Sequence, residues 1–505
     1  MAKFGHRVLR ASVSLSVGNF LVTLANLGRD AAIASAFGTE LGADTFFLAL
    51  MLPVFMMTVG AGAFRSMVVP LLENLASASG EEGTKAVLWR LMQVNAAVIV
   101  AIAVFFAIAV LYYAPLLVGK LPQGAGTMVV HYTWAIIPMM AISAYANLAQ
   151  GPLQTKDRYF LPNITRVGLP LGIALGAIFL GKDFGFYGAC IGGLIGAGIQ
   201  LGATLGLLSK EQLLAGGGIP RNTKVGNGAM SQFLMLVMGN SLAYISPVID
   251  QWMASFLGTG SVSTLGYANR LAVGVSSLTI GSMGAALLPH FSKVISQRDM
   301  RGVENAYVAF WKVGIWIGCG STIVVWLLSV PIVGLLYERG SFTQHDTFAV
   351  ARLLGWFALQ YAPLLIGSAS VSLLSAARMN KVFIPLSVLI AVVNAAGNLL
   401  FMRYLGIAGI ALSTALTYVV SATTMTVVLY RKGLIRLPVS VWKNFGAAII
   451  LATIIAWSLA HFGGKPGINP TWRNIILSML GLAVYCGVAY AFVKGIIKKA
   501  ISRKP

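Results

Sequence analysis

Apolar runs long enough to cross a bilayer recur from one end of the chain to the other, each closed by a short polar or glycine-containing break. A helix needs roughly 20 mostly apolar residues to traverse the hydrocarbon core. Runs of that kind occupy 11–36, 44–72, 88–113, 127–150, 159–181, 184–208, 229–257, 262–292, 305–336, 347–376, 382–402, 405–430, 444–462 and 474–493. They predict about fourteen membrane helices. The runs lack the period-two alternation of a membrane barrel, so helices, which satisfy their own backbone in lipid, are the spanning element. The expected fold is an all-α integral membrane protein.

Composition sharpens this picture. The 505 residues are 57% hydrophobic and only 10% charged, with a mean hydropathy of +0.82, which excludes a water-soluble fold. A formal charge of +22 would suit nucleic acid, but its placement argues otherwise. With the N-terminus in the cytoplasm, Lys85, Arg90, Lys156, Arg158, Lys210, Arg298, Arg378, Arg431 and the tail from Lys494 to Lys504 fall on the cytoplasmic side. The opposite loops hold Lys120, Lys182, Arg339, Arg403, Lys465 and Arg473. This is the positive-inside pattern, and it places both termini in the cytoplasm. The charge then reports topology and contact with anionic lipid. Cys190, Cys319 and Cys486 sit inside apolar runs at unrelated spacings and read as buried small residues, and no metal signature is present.

Aligned against itself at an offset of roughly 220 residues, the chain shows an ordered internal repeat. Lys156 to Pro162 matches Met379 to Pro385, Gly185-Phe186-Tyr187-Gly188 matches Gly406-Ile407-Ala408-Gly409, and Val69-Pro70 matches Leu288-Pro289. Six helices separate the copies, so both halves share one orientation. The expected organisation is an N-lobe over 1–208, a cytoplasmic linker over 209–227, a C-lobe over 228–430, and an appended helix pair with a basic tail over 431–505. Gly188, Gly192, Gly196, Gly198 and Gly202 have the small-residue spacing of a close helix contact.

Ionisable residues within apolar helices are costly and tend to face a partner or a wet cavity. Arg29, Arg65, Arg166, Arg270 and Arg352, with Asp30, Asp44 and Asp250, are of this kind. Internal pairing, such as Arg29 with Asp30 or Asp44, is one reading of them. The other is a cavity in which Arg29 and Arg270, one from each lobe, present planar guanidiniums to a diphosphate. Asp250, Asn240, Asn394, Asn398 and Thr414 are polar positions of the second lobe, and Asn394 and Asn398 share a helix face. They suit either interhelical hydrogen bonding or a site for a coupling cation, sodium or a proton.

Several words of the sequence together resemble the MviN/MurJ family, the lipid II flippases of the multidrug/oligosaccharidyl-lipid/polysaccharide exporter superfamily. They are Gly28-Arg29-Asp30-Ala31, Ala43-Asp44-Thr45-Phe46-Phe47, Gly62-Ala63-Phe64, Gly260-Ser261-Val262-Ser263, Tyr267-Ala268-Asn269-Arg270-Leu271 and Glu338-Arg339-Gly340-Ser341-Phe342. The resemblance implies fourteen helices with a C-terminal pair. It places Arg29, Asp44 and Arg270 in a central cavity that engages a diphosphate-sugar headgroup; Arg65, an intramembrane arginine, is a further candidate for binding the substrate. It also puts Asp250, Asn394, Asn398 and Thr414 where the family holds sodium. The chain departs from the family pattern at Val22-Thr23, at Val54 to Met57, at Ala61 and at Val273, where cationic or acidic residues are usual.

The combined expectation is a flippase, not an enzyme, of the bacterial inner membrane, without an organic cofactor. It would move an undecaprenyl-diphosphate-linked sugar, either lipid II or an exopolysaccharide repeat unit, by alternating access. Sodium or proton coupling and the membrane potential would drive it, and cell-wall or polysaccharide enzymes would be its partners. A cation-coupled exporter of small molecules is the alternative. The outer loops are too short for the catalytic acids of a membrane glycosyltransferase.

Overall fold

The computed structural model describes residues 2–155, 160–213 and 245–436, with scattered positions between 441 and 494. Side chains are described from residue 17 onward, apart from 56–87, 91, 154–155 and 278–286. All regular structure among the described residues is helical. The main helices are α1 (Ala2–Phe37), α2 (Leu41–Leu117), α3 (Ala125–Ala149), α4 (Gly168–Phe179), α5 (Phe186–Lys210), α6 (Ser261–Ser296), α7 (Met300–Tyr337), α8 (Gln344–Ala358), α9 (Tyr361–Ala376), α10 (Phe383–Leu405) and α11 (Ile407–Arg431). Seven spans of the described residues are long and apolar enough to cross a membrane, or eight when the bent pair α8 and α9 counts as one. The chain is a multi-pass membrane protein. Asn240, most of the expected linker and most of the C-terminal pair, including Cys486, lie outside the described residues.

Four of the expected runs differ from their sequence expectation. The stretches 44–72 and 88–113 join in the single 77-residue helix α2. At 1.5 Å per residue a straight helix of that length would measure about 115 Å, far more than the roughly 30 Å of hydrocarbon, so α2 extends well beyond a single crossing, and Leu88–Leu117 is its part that is long and apolar enough to span. The run 347–376 is broken at Leu359 and Gln360, where α8 and α9 meet at 44°. Pro363 in the first turn of α9 has no N–H to continue the α8 ladder. The run 159–181 is interrupted at Arg166 and Val167, just before Pro170 in the first turn of α4.

Contacts group the chain into two compact units, residues 1–266 with 336–346, and residues 267–335 with 347–505. In the first, Gly168, Gly172 and Gly176 on α4 lie against Gly196, Gly192 and Gly188 on α5, so closely that a Cβ on any of them would meet the opposite backbone. The sequence spacing identified only the α5 side of this seam. Gly198 and Gly202 belong to another face and have nothing within 4 Å of an added Cβ. At one end of the unit Phe186 joins three other helices, stacking on Phe37 at 3.8 Å and lying 4.9 Å from Phe46 and 5.5 Å from Tyr132.

In the second unit, Tyr307 on α7 shares hydrogen bonds with Ser370 Oγ on α9 at 2.8 Å and Thr426 Oγ1 on α11 at 3.1 Å. The Tyr485 hydroxyl donates to the Trp316 carbonyl at 2.7 Å, and Val441, Ala448 and Tyr485 are buried in the same core cluster as Trp316. These positions of the C-terminal segment are therefore part of the second unit's packing.

Two corners that the self-alignment matched share a backbone conformation. Gly185 before α5 has φ 55° and ψ −138°, and Gly406 before α11 has φ 57° and ψ −135°. Gly188 and Gly409, three residues on, each press so tightly on the preceding helix that a Cβ would strike the backbone of Leu180 or Phe401. A duplicated corner keeps its conformation because only glycine fits both positions.

The glycine seam yields a test. Gly192→Leu should lower the thermal unfolding temperature in detergent, a cost of about 1–3 kcal/mol from overpacking. Gly198→Leu, on the open face of the same helix, should leave it unchanged.

Candidate functional site

Asp44 lies in the first turn of α2 and is fully buried. Its Oδ2 accepts from the Gly260 N–H at 2.5 Å, and its Oδ1 accepts from the Ser263 N–H and Oγ at 2.7 Å each. Gly260 and Ser263 open α6, whose first N–H groups have no partner within their own helix. The Asp44 carboxylate is therefore a cap supplied from a different helix, on the positive end of the α6 dipole. Arg270 is half-buried on the same helix, about two and a half turns further along. Asp44 thus anchors the end of the element that carries Arg270.

The sequence expectation grouped Asp44 with the headgroup-binding residues. Here both of its oxygens are engaged by α6, and none of its surface is exposed. Arg29 shows the internal pairing considered from sequence: its Nε and Nη2 both donate to Asp30 Oδ1, at 2.9 and 2.7 Å. Asp30 is 2% exposed and the Arg29 side chain 19%. The aspartate thus neutralises the arginine within α1, and the Arg29 side chain is not fully buried. Arg65 lies on α2 outside the residues whose side chains are described. Arg166 donates to Asn163 Oδ1 at 3.3 Å, and Arg352 is exposed on α8.

Asn394 and Asn398 are fully buried on α10. The Ser413 hydroxyl on α11 donates to the Asn394 carbonyl at 3.0 Å, and Thr414 on the same helix donates to the Ile410 carbonyl at 3.1 Å. The amide oxygen and nitrogen of the Asn394 side chain have no hydrogen-bond partner among the described residues. A buried carboxamide in that state is suited to an added ligand. Asp250, 6% exposed, belongs to the first unit, whereas these three belong to the second. Among the described residues no three His, Cys, Asp or Glu side chains come together as a metal cluster.

Two arrangements escaped the sequence reading. One is a buried polar chain in the first unit, in which Ser143 donates to Gln200 Oε1 at 2.9 Å and Gln200 Nε2 donates to Asn147 Oδ1 at 3.0 Å. It continues locally, with Gln150 donating to Thr165 at 3.0 Å and Thr165 lying 3.2 Å from Thr204. These residues have small or amide side chains without a motif. The second is the pair Thr39 and Asp346, whose hydroxyl and carboxylate are hydrogen-bonded across 307 positions. Asp346 belongs to the stretch from Leu336 that resembles the family and lies, like Asp44, in the first turn of a helix, but nothing in the sequence pointed to Thr39 as its partner.

The sequence model of the family described as Lipid II flippase MurJ matches residues 33–480. A protein named Lipid II flippase MurJ from Burkholderia cenocepacia is 25% identical over 475 residues, covering 90% of this chain and 91% of that protein. A probable lipid II flippase MurJ from Aquifex aeolicus is 26% identical over 70% of this chain and 69% of its own length. Among solved structures, a lipid II flippase MurJ in an inward closed conformation superposes with a TM-score of 0.78 at 21% identity, covering 95% of this chain and 99% of that one. An inward-facing multidrug resistance MATE family transporter of the MOP superfamily superposes at 0.66 and 16% identity, over 88% and 98%. Both share the fold.

The Asp44 cap can be measured. Asp44→Ala should cost about 1–3 kcal/mol by leaving two α6 N–H groups unpaired, read as a lower unfolding temperature in detergent. Ser263→Ala should cost less, because both backbone bonds to Asp44 survive.

Proposed function

The chain belongs to the MurJ lipid II flippase family, and from that premise we propose that it moves lipid II from the inner to the outer leaflet of the cytoplasmic membrane. The observation that carries this reading is the family match over 33–480, which includes Arg270 and Asp44 and leaves Arg29 only four residues before it. The proposed orientation has both termini in the cytoplasm, as the positive-inside pattern requires. Asp44, Gly260 and Ser263 then sit at the outer ends of their helices.

In this mechanism the headgroup enters from the cytoplasmic side and Arg29 and Arg270, with Arg65, hold its diphosphate. A guanidinium keeps its charge at any physiological pH and pairs with two phosphate oxygens at once. Asp30 beside Arg29 lowers the cost of keeping that cation in the membrane before cargo arrives. The polyprenyl tail remains in lipid. The Asp44 cap on the N-terminus of α6 keeps the outer end closed, and its release, with rocking of the two halves of the repeat, presents the headgroup outside.

The reset step is assigned to a coupling cation, sodium or a proton, held by Asn394, Asn398 and Thr414 with Asp250. Buried amide and hydroxyl oxygens suit sodium, and the partnerless Asn394 carboxamide supports this assignment. An inside-negative potential contributes about 2.3 kcal/mol per elementary charge per 100 mV. Cell-wall synthesis enzymes on either side of the membrane would supply and consume the lipid.

Translocation of fluorescent lipid II in proteoliposomes tests this reading, with an undecaprenyl-diphosphate-linked exopolysaccharide unit as a comparison cargo. Arg270→Ala should slow lipid II by roughly ten- to a hundredfold, the loss of one charge-assisted contact of about 1.5–3 kcal/mol, with Arg270→Lys intermediate. Movement of the exopolysaccharide unit alone would reassign the cargo, and movement of neither would end the flippase reading. Asn394→Ala should remove any acceleration by an imposed sodium gradient while leaving potential-free exchange intact; an unchanged sodium response would exclude the site.

A further inference from the structure

The segment between α7 and α8 joins two helices of the second unit, yet residues 336–346 pack within the first unit, on the corner between α1 and α2. The last carbonyls of α1 have no partners inside their own helix. Gly38 N donates to the Ala34 carbonyl at 2.8 Å, Ser341 N to the Ser35 carbonyl at 2.8 Å, and Ser341 Oγ to the Ala36 carbonyl at 3.1 Å. Two of the three α1 carbonyls are thus capped by a residue some three hundred positions away. The fit excludes side chains on both sides: Gly340 and Gly38 have φ of 60° and 58°, and a Cβ on either would collide with the backbone of Ser35 or Ser341.

Asp346 completes the contact. Its Oδ2 accepts from Thr343 N and Oγ1 at 2.8 Å each, closing a capping box at the start of α8. Its other oxygen accepts the hydroxyl of Thr39 in the α1–α2 corner. One carboxylate therefore both caps α8 and grips the corner next to Asp44.

The segment has no joint where it leaves the first unit. α7 runs unbroken through Leu335 and Leu336, and α8 through Asp346 and Thr347. Residues 338–343 must therefore travel with α7 and α8 whenever those helices move. The bonds that hold them are ones water can replace cheaply, because Gly340, Ser341 and Thr343 are exposed.

We propose that residues 338–346 are a reversible outer latch, separate from the Asp44 cap, and that Thr39 and Asp346 are its clasp. The latch closes when Ser341 caps α1 and Asp346 takes Thr39, and it must open in every transport cycle. The proposal rests on the alternating-access reading above, and one arm of its test needs no cargo.

Both arms start from protein with Cys190, Cys319 and Cys486 replaced by Ala. In the first, Ser263→Cys, buried beneath the Asp44 cap, is labelled with a membrane-impermeant maleimide. Thr39→Val should raise the labelling rate about fivefold, the effect of one lost hydrogen bond of about 1 kcal/mol. In the second, Thr39→Cys with Asp346→Cys is oxidised to a disulfide, confirmed by mass, and assayed for lipid II flipping. Transport should stop and return with reductant. Unchanged labelling in Thr39→Val, or undiminished flipping by fully cross-linked protein, overturns the latch. If uncross-linked protein flips no lipid, the flippase reading fails while the labelling arm still decides the latch.

Discussion

A helix in a bilayer can pair every backbone group except those at its ends, and the protein meets that constraint in part by capping helix ends from distant parts of the chain. Asp44 of α2 serves the N-terminus of α6, Ser341 of the α7–α8 turn serves the C-terminus of α1, and Asp346, which caps its own helix α8, also holds Thr39. All three involve the α1–α2 corner or the turn that follows it. The corner is itself fixed from below by the aromatic contact of Phe37, Phe46 and Phe186. Helix ends that would otherwise need water or their own loops are in this way made dependent on elements distant in sequence. Such shared caps give a transporter a closed end that is well defined and can still be undone, since each lost bond is replaceable by solvent.

Away from that end, the polar residues are handled by local neutralisation. Asp30 takes the charge of Arg29 within one helix, and Gln200 is saturated by Ser143 and Asn147. The glycine seam between α4 and α5 belongs to the same economy of contact. Where lipid removes the hydrophobic incentive for helices to associate, backbone proximity and interhelical hydrogen bonds do the work. The Tyr307 contacts with Ser370 and Thr426 play this part in the second unit. Asn394 differs from all of these, because its amide ends without a partner among the described residues.

The fold is common to the MurJ flippase and MATE transporter structures. A shared fold leaves cargo undetermined, because cargo depends on which polar side chains the helices carry. For this chain the family match points to a lipid-linked cargo.

Hydrophobic run lengths alone identified an all-α membrane protein, and the offset of matching words alone identified its duplication. Both are properties of period and order, so they are legible without coordinates. Gly185 and Gly406, matched at that offset, share a backbone angle that favours glycine. Arg29 and Asp30 were legible as a pair because they are neighbours. The sequence did not reveal that Asp44 would be spent on α6, that Gly168, Gly172 and Gly176 would face the α5 glycines, or that Thr39 would find Asp346. Nor did it reveal the breaks before α4 and α9, where a proline in the first turn overrides a continuous apolar run. A cap or a seam is defined by two partners, and the chain states only one of them at a time. Which helix end meets which side chain is settled when the helices pack, and that choice belonged to the tertiary structure.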